Sequence, residues 1–294
     1  MARAAAAVVM ALGLLLGAAC GGGESAIAGM TAHEVVVGAT TATLAENTSK
    51  FTLDLTIAGL ANPDAPPADV NITGTGAFDY GEHRGAMRMT IPAGSETATV
   101  DTVVIGTTVY QKLPASFTES TPFETGKPWL KIDLEGLGAF SGINLGTLAS
   151  AQSSDPSQAI ALLRGASTDV EEIGREKLRG DDVVHYRFTI DLGKATEAAP
   201  EGLRGAVQRF DSLYGAASIP ADAWMDDDGR LRKLAYTLRR ANFRFPVDPA
   251  AAAAANMRLT TSVELFDFGT KVDAEAPPPD QVSDFNEFLR GDAD

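Results

Sequence analysis

The sequence predicts an α+β domain, a single curved antiparallel sheet with a few helices packed in its concave face. Three observations carry that expectation. Apolar and polar residues alternate with a period of two through most of the chain, only a few short stretches have helical spacing and capping signals, and the apolar strand faces outnumber what those helices can cover. Alternation points to antiparallel pairing, because parallel strands buried on both faces read as continuous apolar runs. A sheet this long must curl. Helices laid into its concave side would leave a hydrophobic cavity, although the stripes could also pack fully on the helices and on each other.

Composition narrows the function classes. Hydrophobic residues make up 45% of the 294-residue chain, ample for a core, and the formal charge is -15. That acidity argues against nucleic acid, where binding is dominated by Lys and Arg neutralising phosphates, and against a polybasic membrane patch. The single cysteine, Cys20, cannot staple the fold.

Cys20 sits in residues 12–23, LGLLLGAACGGG, at the end of an apolar run. Arg3 supplies a one-charge start, residues 4–16 an apolar segment, and Gly17, Ala18 and Ala19 the small residues expected before a cleavage site. Residues 1–19 therefore read as a leader, with Cys20 as the new, lipidated N-terminus and the membrane held through its acyl chains. Gly17 stands three residues before Cys20 where a lipoprotein signal usually has Leu, so an ordinary peptidase cutting after Ala19 is the alternative. At about 13 residues the apolar run is shorter than the ~20 of a membrane span.

Residues 20–30 are small and read as a flexible tether spanning roughly 15 to 20 Å. The domain proper is then 31–294. Thr31 and Glu34 form a capping box that opens a helix to about Asn47. Strands follow: Phe51, Leu53, Leu55 and Ile57 alternate with polar residues, and so do Val70, Ile72, Phe78 and Tyr80, then Met87, Met89 and Ile91. A Pro-rich loop at 62–67 separates the first two. Val103, Ile105, Val109 and Leu113 continue the pattern, and Leu130, Ile132 and Leu134 place one more strand after an irregular loop.

Residues 136–154 are Gly-, Ser- and Leu-rich and read as a mobile flap. Asp155 as N-cap and Pro156 at N1 open a short helix with Ile160, Leu162 and Leu163, closed by Gly165. Residues 168–192 form a hairpin around 179–182. A helix over 200–214 has Leu203, Val207, Phe210 and Tyr214 at helical spacing. A second hairpin at 219–238 turns at Asp226, Asp227, Asp228 and Gly229; a last strand holds Leu259, Val263 and Leu265; and a short amphipathic tail carries Val282, Phe285 and Leu289.

No catalytic constellation is present. His33, His83 and His185 have no ligand-spaced partners, His185 reads as a surface residue, and the glycine patterns miss the dinucleotide and Walker spacings. No G-x-S-x-G elbow occurs, and the triple Asp lacks the alternating ligands and twelfth-position Glu of a calcium loop. The expectation is a non-enzyme with no cofactor and no metal. Its positive signal is the apolar strand excess, slightly favoured as an adaptable lining by Met87, Met89, Met225 and Met257.

The run from Asp155 (DPSQAIALLRGASTDVEEIGREKLRGDDVVHYRFTIDL), the stretch IPADAWMDDDGRLRKLAYTL from Ile219 and ELFDFGTKVDAEAPPPDQVSDF from Glu264 resemble actinobacterial envelope lipoproteins of the LppX and LprG lipid-carrier type, similar in fold to LolA and LolB. The resemblance covers nearly all of the mature chain and rests on a diffuse pattern. It implies a half-barrel with helices plugging the concave side and a lipid-sized cavity between them. Of specific positions it carries over only Cys20.

The expected function is a lipid-anchored, monomeric carrier on the outer face of the cytoplasmic membrane, binding a lipid or acylated ligand. The candidate lining is Phe51, Leu53, Leu55, Met87, Met89, Ile132, Tyr186, Phe188, Tyr236 and Leu238, with Ile160, Leu163 and Phe210 as a lid. The alternative is an envelope-anchored interaction protein with a filled core, meeting its partner through an acidic surface.

Overall fold

The computed structural model describes residues 25–62, 65–93, 96–112, 114, 126–134, 155–214, 218–239 and 258–290. Cys20, the leader and the expected flap at 136–154 lie outside them. Twelve strands share one sheet in the order β12-β6-β5-β4-β3-β2-β1-β11-β10-β9-β8-β7. They are β1 Thr48–Asn62, β2 Ala65–Asp79, β3 Arg84–Ala93, β4 Glu96–Ile105, β5 Thr108–Lys112, β6 Trp129–Asp133, β7 Glu171–Leu178, β8 Asp181–Ile190, β9 Ile219–Asp226, β10 Leu231–Arg239, β11 Arg258–Phe266 and β12 Val282–Asp284. The helices are α1 Ala32–Leu44, α2 Ser157–Leu162, α3 Leu192–Ala198, α4 Glu201–Tyr214 and α5 Phe285–Arg290.

Local chemistry explains most boundaries. The Thr31 hydroxyl accepts from the Glu34 N–H, and the Glu34 carboxylate accepts from the Thr31 N–H at 2.8 Å, so both ends of the capping box close. The Thr31 N–H and hydroxyl, both donating to the Glu34 carboxylate, hold it below the usual carboxylate range. α1 stops at Leu44, earlier than expected, because Asn47 takes a positive φ of 62° and turns the chain into β1. The β7–β8 hairpin turns on Arg179 and Gly180, both at positive φ, as a two-residue turn between twisted strands requires.

Five expectations need correction. β1 runs to Asn62 and β2 starts at Ala65, so Pro66 and Pro67, expected in the loop, lie in β2. The pattern at Val103, Ile105 and Val109 falls on two strands, β4 and β5, turned at Gly106 with φ +59°, and Leu113 lies outside the described residues. Asp155 is not the N-cap: its carboxylate accepts from the Ser157 N–H at 2.8 Å, and Pro156 takes the cap position. Leu192 leaves the strand and opens α3, because the Asp191 carboxylate accepts from the Lys194 N–H at 3.0 Å and caps a helix there. Pairing is not wholly antiparallel either, since β12 lies parallel to β6 at the sheet's edge. Three residues are too few to show a period, and side chains hold β12: Lys131 Nζ donates to Asp284 at 2.8 Å, and Asn286 bridges the backbone of Asp133.

One face of the sheet forms the core. α1 rests on β9 and β10, and α2 on β10, with α3 and α4 packed behind α2. Val36, Ile160, Leu162, Leu192 and Val207 are all at 0% exposure there. Each such aliphatic side chain contributes about 1.5–3 kcal/mol by leaving water. Several polar groups caught in this layer find partners, although the buried Thr102 and Thr196 hydroxyls find none among the described residues. Thr40 donates to the Ile160 carbonyl, Thr43 accepts from the Leu231 N–H, and Ser49 pairs with Tyr80 at 2.6 Å. Burial pushes the Tyr80 phenol above its ordinary value, so it stays neutral.

Candidate functional site

The strand register sorts the inner face into rows. The first joins Met87, Gly76, Phe51 and Leu265, and the second joins Met89, Gly74, Leu53, Val263, Leu234, Ala223 and Tyr186. A third runs Ile72, Leu55, Thr261, Tyr236, Ala221 and Phe188. A fourth holds Ile57, Leu259 and Leu238. Apolar residues dominate these rows; Thr261 lies in the third, the first continues through Thr102 and Gln111 on β4 and β5, and the second ends on Glu172 at the β7 edge.

Gly74 and Gly76 leave the gap that the large side chains of the first two rows fill. A Cβ at Gly76 would strike the Phe51 ring at 2.8 Å and the Ala86 carbonyl, and one at Gly74 would press the Met87 sulfur at 3.0 Å. Glycines that fail as a nucleotide motif thus serve as a trough across β2.

Burial falls along the rows. In the first, Met87 and Phe51 are 3% exposed and Leu265 is 1%. In the second only Leu53 is half-buried; in the third, Ile72, Leu55 and Tyr236 are; in the fourth, Ile57 and Leu259 are. The half-buried residues gather on β1, β2, β10 and β11, toward the end where β10 finishes and β11 begins. α4 reaches this strip through Phe210, whose ring meets Tyr236 edge-on at 5.9 Å.

The thirteen candidate lining and lid residues therefore separate into two groups. Phe51, Met87, Met89, Ile132, Ile160, Leu163, Tyr186, Phe188, Phe210 and Leu238 are buried, while Leu53, Leu55 and Tyr236 are half-buried and adjacent. Most of the set joins one buried cluster, with Ile132 at the β5–β6 side. Sequence reading placed Ile57, Ile72 and Leu259 on strands but not in the site. Ile57 lies two residues along β1 from Leu55, Ile72 pairs opposite Leu55 on β2, and Leu259 pairs opposite Ile57 on β11.

Hollows are found elsewhere among the described residues. One of about 220 Å³ lies between the β4–β5 turn and the helices, lined by His83, Thr107, Asp155, Gln158 and Leu203. It is below the ~300 Å³ at which ligand pockets begin. A groove of about 330 Å³ on the opposite face runs past Arg88, Asp101 and Trp129. Among the described residues no group of three or more His, Cys, Asp or Glu side chains is placed to share a metal ion. No helix among them is long and apolar enough to cross a membrane.

On the opposite face His185 departs from the surface residue expected. Its side chain is 14% exposed, its Nε2 lies 2.8 Å from Asp222, and its ring stacks on Trp224 at 4.3 Å. Trp224 donates to Glu176, and Lys233 lies 5.2 Å from the Trp224 ring and pairs with Glu264 at 3.1 Å. These contacts tie β7 through β11 together.

Comparisons with known proteins agree with the lipoprotein resemblance without defining a family. No protein-family model matches the chain. It is 28% identical over 167 residues to a Streptomyces coelicolor protein named as a candidate lipoprotein, covering 56% of this chain and 45% of that one. The chain spans about half the length of the curated relatives it matches. Among solved structures, LprF from Mycobacterium bovis aligns over 84% of this chain and 96% of its own at 14% identity and TM-score 0.41. The Mycobacterium tuberculosis lipoprotein LppX aligns over 82% and 98% at 12% identity and TM-score 0.39.

Proposed function

We propose that this protein is a monomeric, non-enzymatic envelope lipoprotein, anchored by an acylated Cys20 after loss of residues 1–19, that holds the acyl chain of a lipid or lipidated ligand. One observation carries the reading: the inner face is mainly apolar, yet its burial stops short at Leu53, Leu55, Ile57, Ile72, Tyr236 and Leu259. Contiguous apolar surface left open to water is where proteins bind apolar partners when the patch is large. The ligand site then lies on this strip, with Phe210 and α4 as its lid. Similarity to a protein named as a lipoprotein supports the anchor. Acyl chains would supply ~0.8 kcal/mol per buried methylene, which suits an acidic protein better than charge attraction.

Native mass spectrometry of protein purified without detergent tests the carrier reading. The expected spectrum shows co-purifying lipid mass; a clean apo mass with no uptake of a fluorescent acyl probe refutes it. A second reading draws on the ten candidate residues that are fully packed: an anchored interaction protein with a filled core, for which the apo spectrum is the expected result. The anchor is separately testable. Cys20→Ser should shift the protein from the membrane to the soluble fraction.

A further inference from the structure

The stretch expected to be a free tether is docked over its second half. The Ala26 N–H donates to the Asp227 carbonyl at 2.8 Å, and the Ser25 hydroxyl donates to the same carbonyl at 3.1 Å. Residues 25–30 then fold on themselves, with the Ala28 N–H bonded to Ser25 and the Met30 N–H to Ile27. Ile27, the one aliphatic residue larger than alanine in this stretch besides Met30, is partly buried against the core. Its methyl lies beside Gly229, where an added Cβ would meet it at 3.1 Å. Arg175 braces the receiving turn through Asp227 at 2.8 Å, and that hydrogen bond holds the Asp227 carboxyl below its usual range.

This docking sets the length of the leash. Only residues 21–24 separate Cys20 from the first docked residue, and five residue steps span at most about 18 Å. β10 leads away from the docked turn for nine residues, carrying its far end about 27 Å further. The half-buried strip is at that far end.

We infer that residues 25–30 are a clamp that makes the β9–β10 turn the membrane-proximal pole of the anchored protein and turns the half-buried apolar strip away from the anchoring membrane. The inference rests on the anchor reading given above, that Cys20 is acylated. It implies that ligand is exchanged with a partner or surface on the far side rather than with the lipids beside the anchor.

The test uses full-length protein extracted from membranes and reconstituted into phosphatidylcholine vesicles containing a head-group spin-labelled lipid. Since Cys20 is the chain's only cysteine, Asp228→Cys or Arg258→Cys supplies a single free thiol for a fluorophore, at the docked turn or at the far end. Quenching at position 228 should exceed that at 258 several-fold. Ile27→Asp, which forces a charge into the dock, should bring the two toward equality while the melting transition of the domain is kept. Equal quenching in the wild-type background, or a difference that survives Ile27→Asp, overturns the orientation. Amide exchange gives a measure that needs no lipid: the Ala26 amide should exchange slowly in wild type, and fast exchange there overturns the clamp. Two labels per chain with no acyl mass on Cys20 would instead refute the anchor reading.

Discussion

The two ends of the sheet are built on different terms. At the β9–β10 end, Asp226 is 5% exposed and receives Arg230 at 2.8 Å and Arg232 at 3.5 Å. Arg230 also reaches Glu46 at 3.1 Å, and Arg232 reaches Asp181, so helix, turn and neighbouring hairpin share one ionic knot. At the other end, β1, β2, β10 and β11 present Leu55, Ile57, Ile72, Tyr236 and Leu259 half-covered. The contrast teaches that stability and ligand contact need not come from the same residues of one apolar sheet. A closed, over-determined pole can hold the register while the other end keeps surface to offer.

The largest expected effect breaks the closed pole. Asp226→Ala leaves two guanidiniums short of a partner, one of them buried, and should cost about 3 kcal/mol in urea unfolding with no change in acyl-probe affinity per folded molecule. Next, Gly76→Ala drives a methyl into the Phe51 ring and the Ala86 carbonyl. It should cost about 2 kcal/mol, in the range of other overpacked cores, and be read by the same unfolding curve. At the open end the balance reverses. Leu55→Ala should cost only about 1 kcal/mol, because the side chain is already half in water, yet weaken acyl-probe binding measurably.

The smallest effect concerns the edge. Asp284 loses ground to burial, which raises its pKa, but the hydrogen bond from Lys131 and the backbone N–H groups of Glu287 and Asn286 outweigh that and set the net value below 3.8. A depressed carboxyl stabilises the fold above its unfolded value, and that contribution is lost as pH falls through the folded one. β12 should therefore stay docked on β6 above about pH 4. The protection of the Val282 to Asp284 amides, measured relative to their intrinsic exchange rates, should fall in more acid solution, and Asp284→Asn should remove the pH dependence.

Much of this architecture was legible because burial on one face writes a period of two into the sequence. Phe51 to Ile57, Val184 to Ile190 and Val263 to Leu265 alternate cleanly, and their strands lie where alternation puts them. Thr31 and Glu34 announced α1 by side-chain chemistry alone. β12 was not legible, because its position depends on Lys131 and Asn286 contacts made across about 150 residues of sequence. The candidate site was half legible. Alternation named the face, but which rows the helices cover depends on where α1, α2 and α4 dock, and that packing is non-local. The clamp at Ile27 was masked by its small neighbours, although a lone large aliphatic residue among Gly, Ser and Ala was the available signal.

The most direct test of the central claim is photocrosslinking with a fatty acid carrying a diazirine near its chain end, followed by peptide mapping. Adducts should concentrate on β1, β10 and β11 around Leu55, Tyr236 and Leu259, with Phe210 of α4 as the lid contact, and excess unlabelled fatty acid should compete them away. Adducts confined to the opposite face around His185 and Trp224, or none that compete, would contradict it.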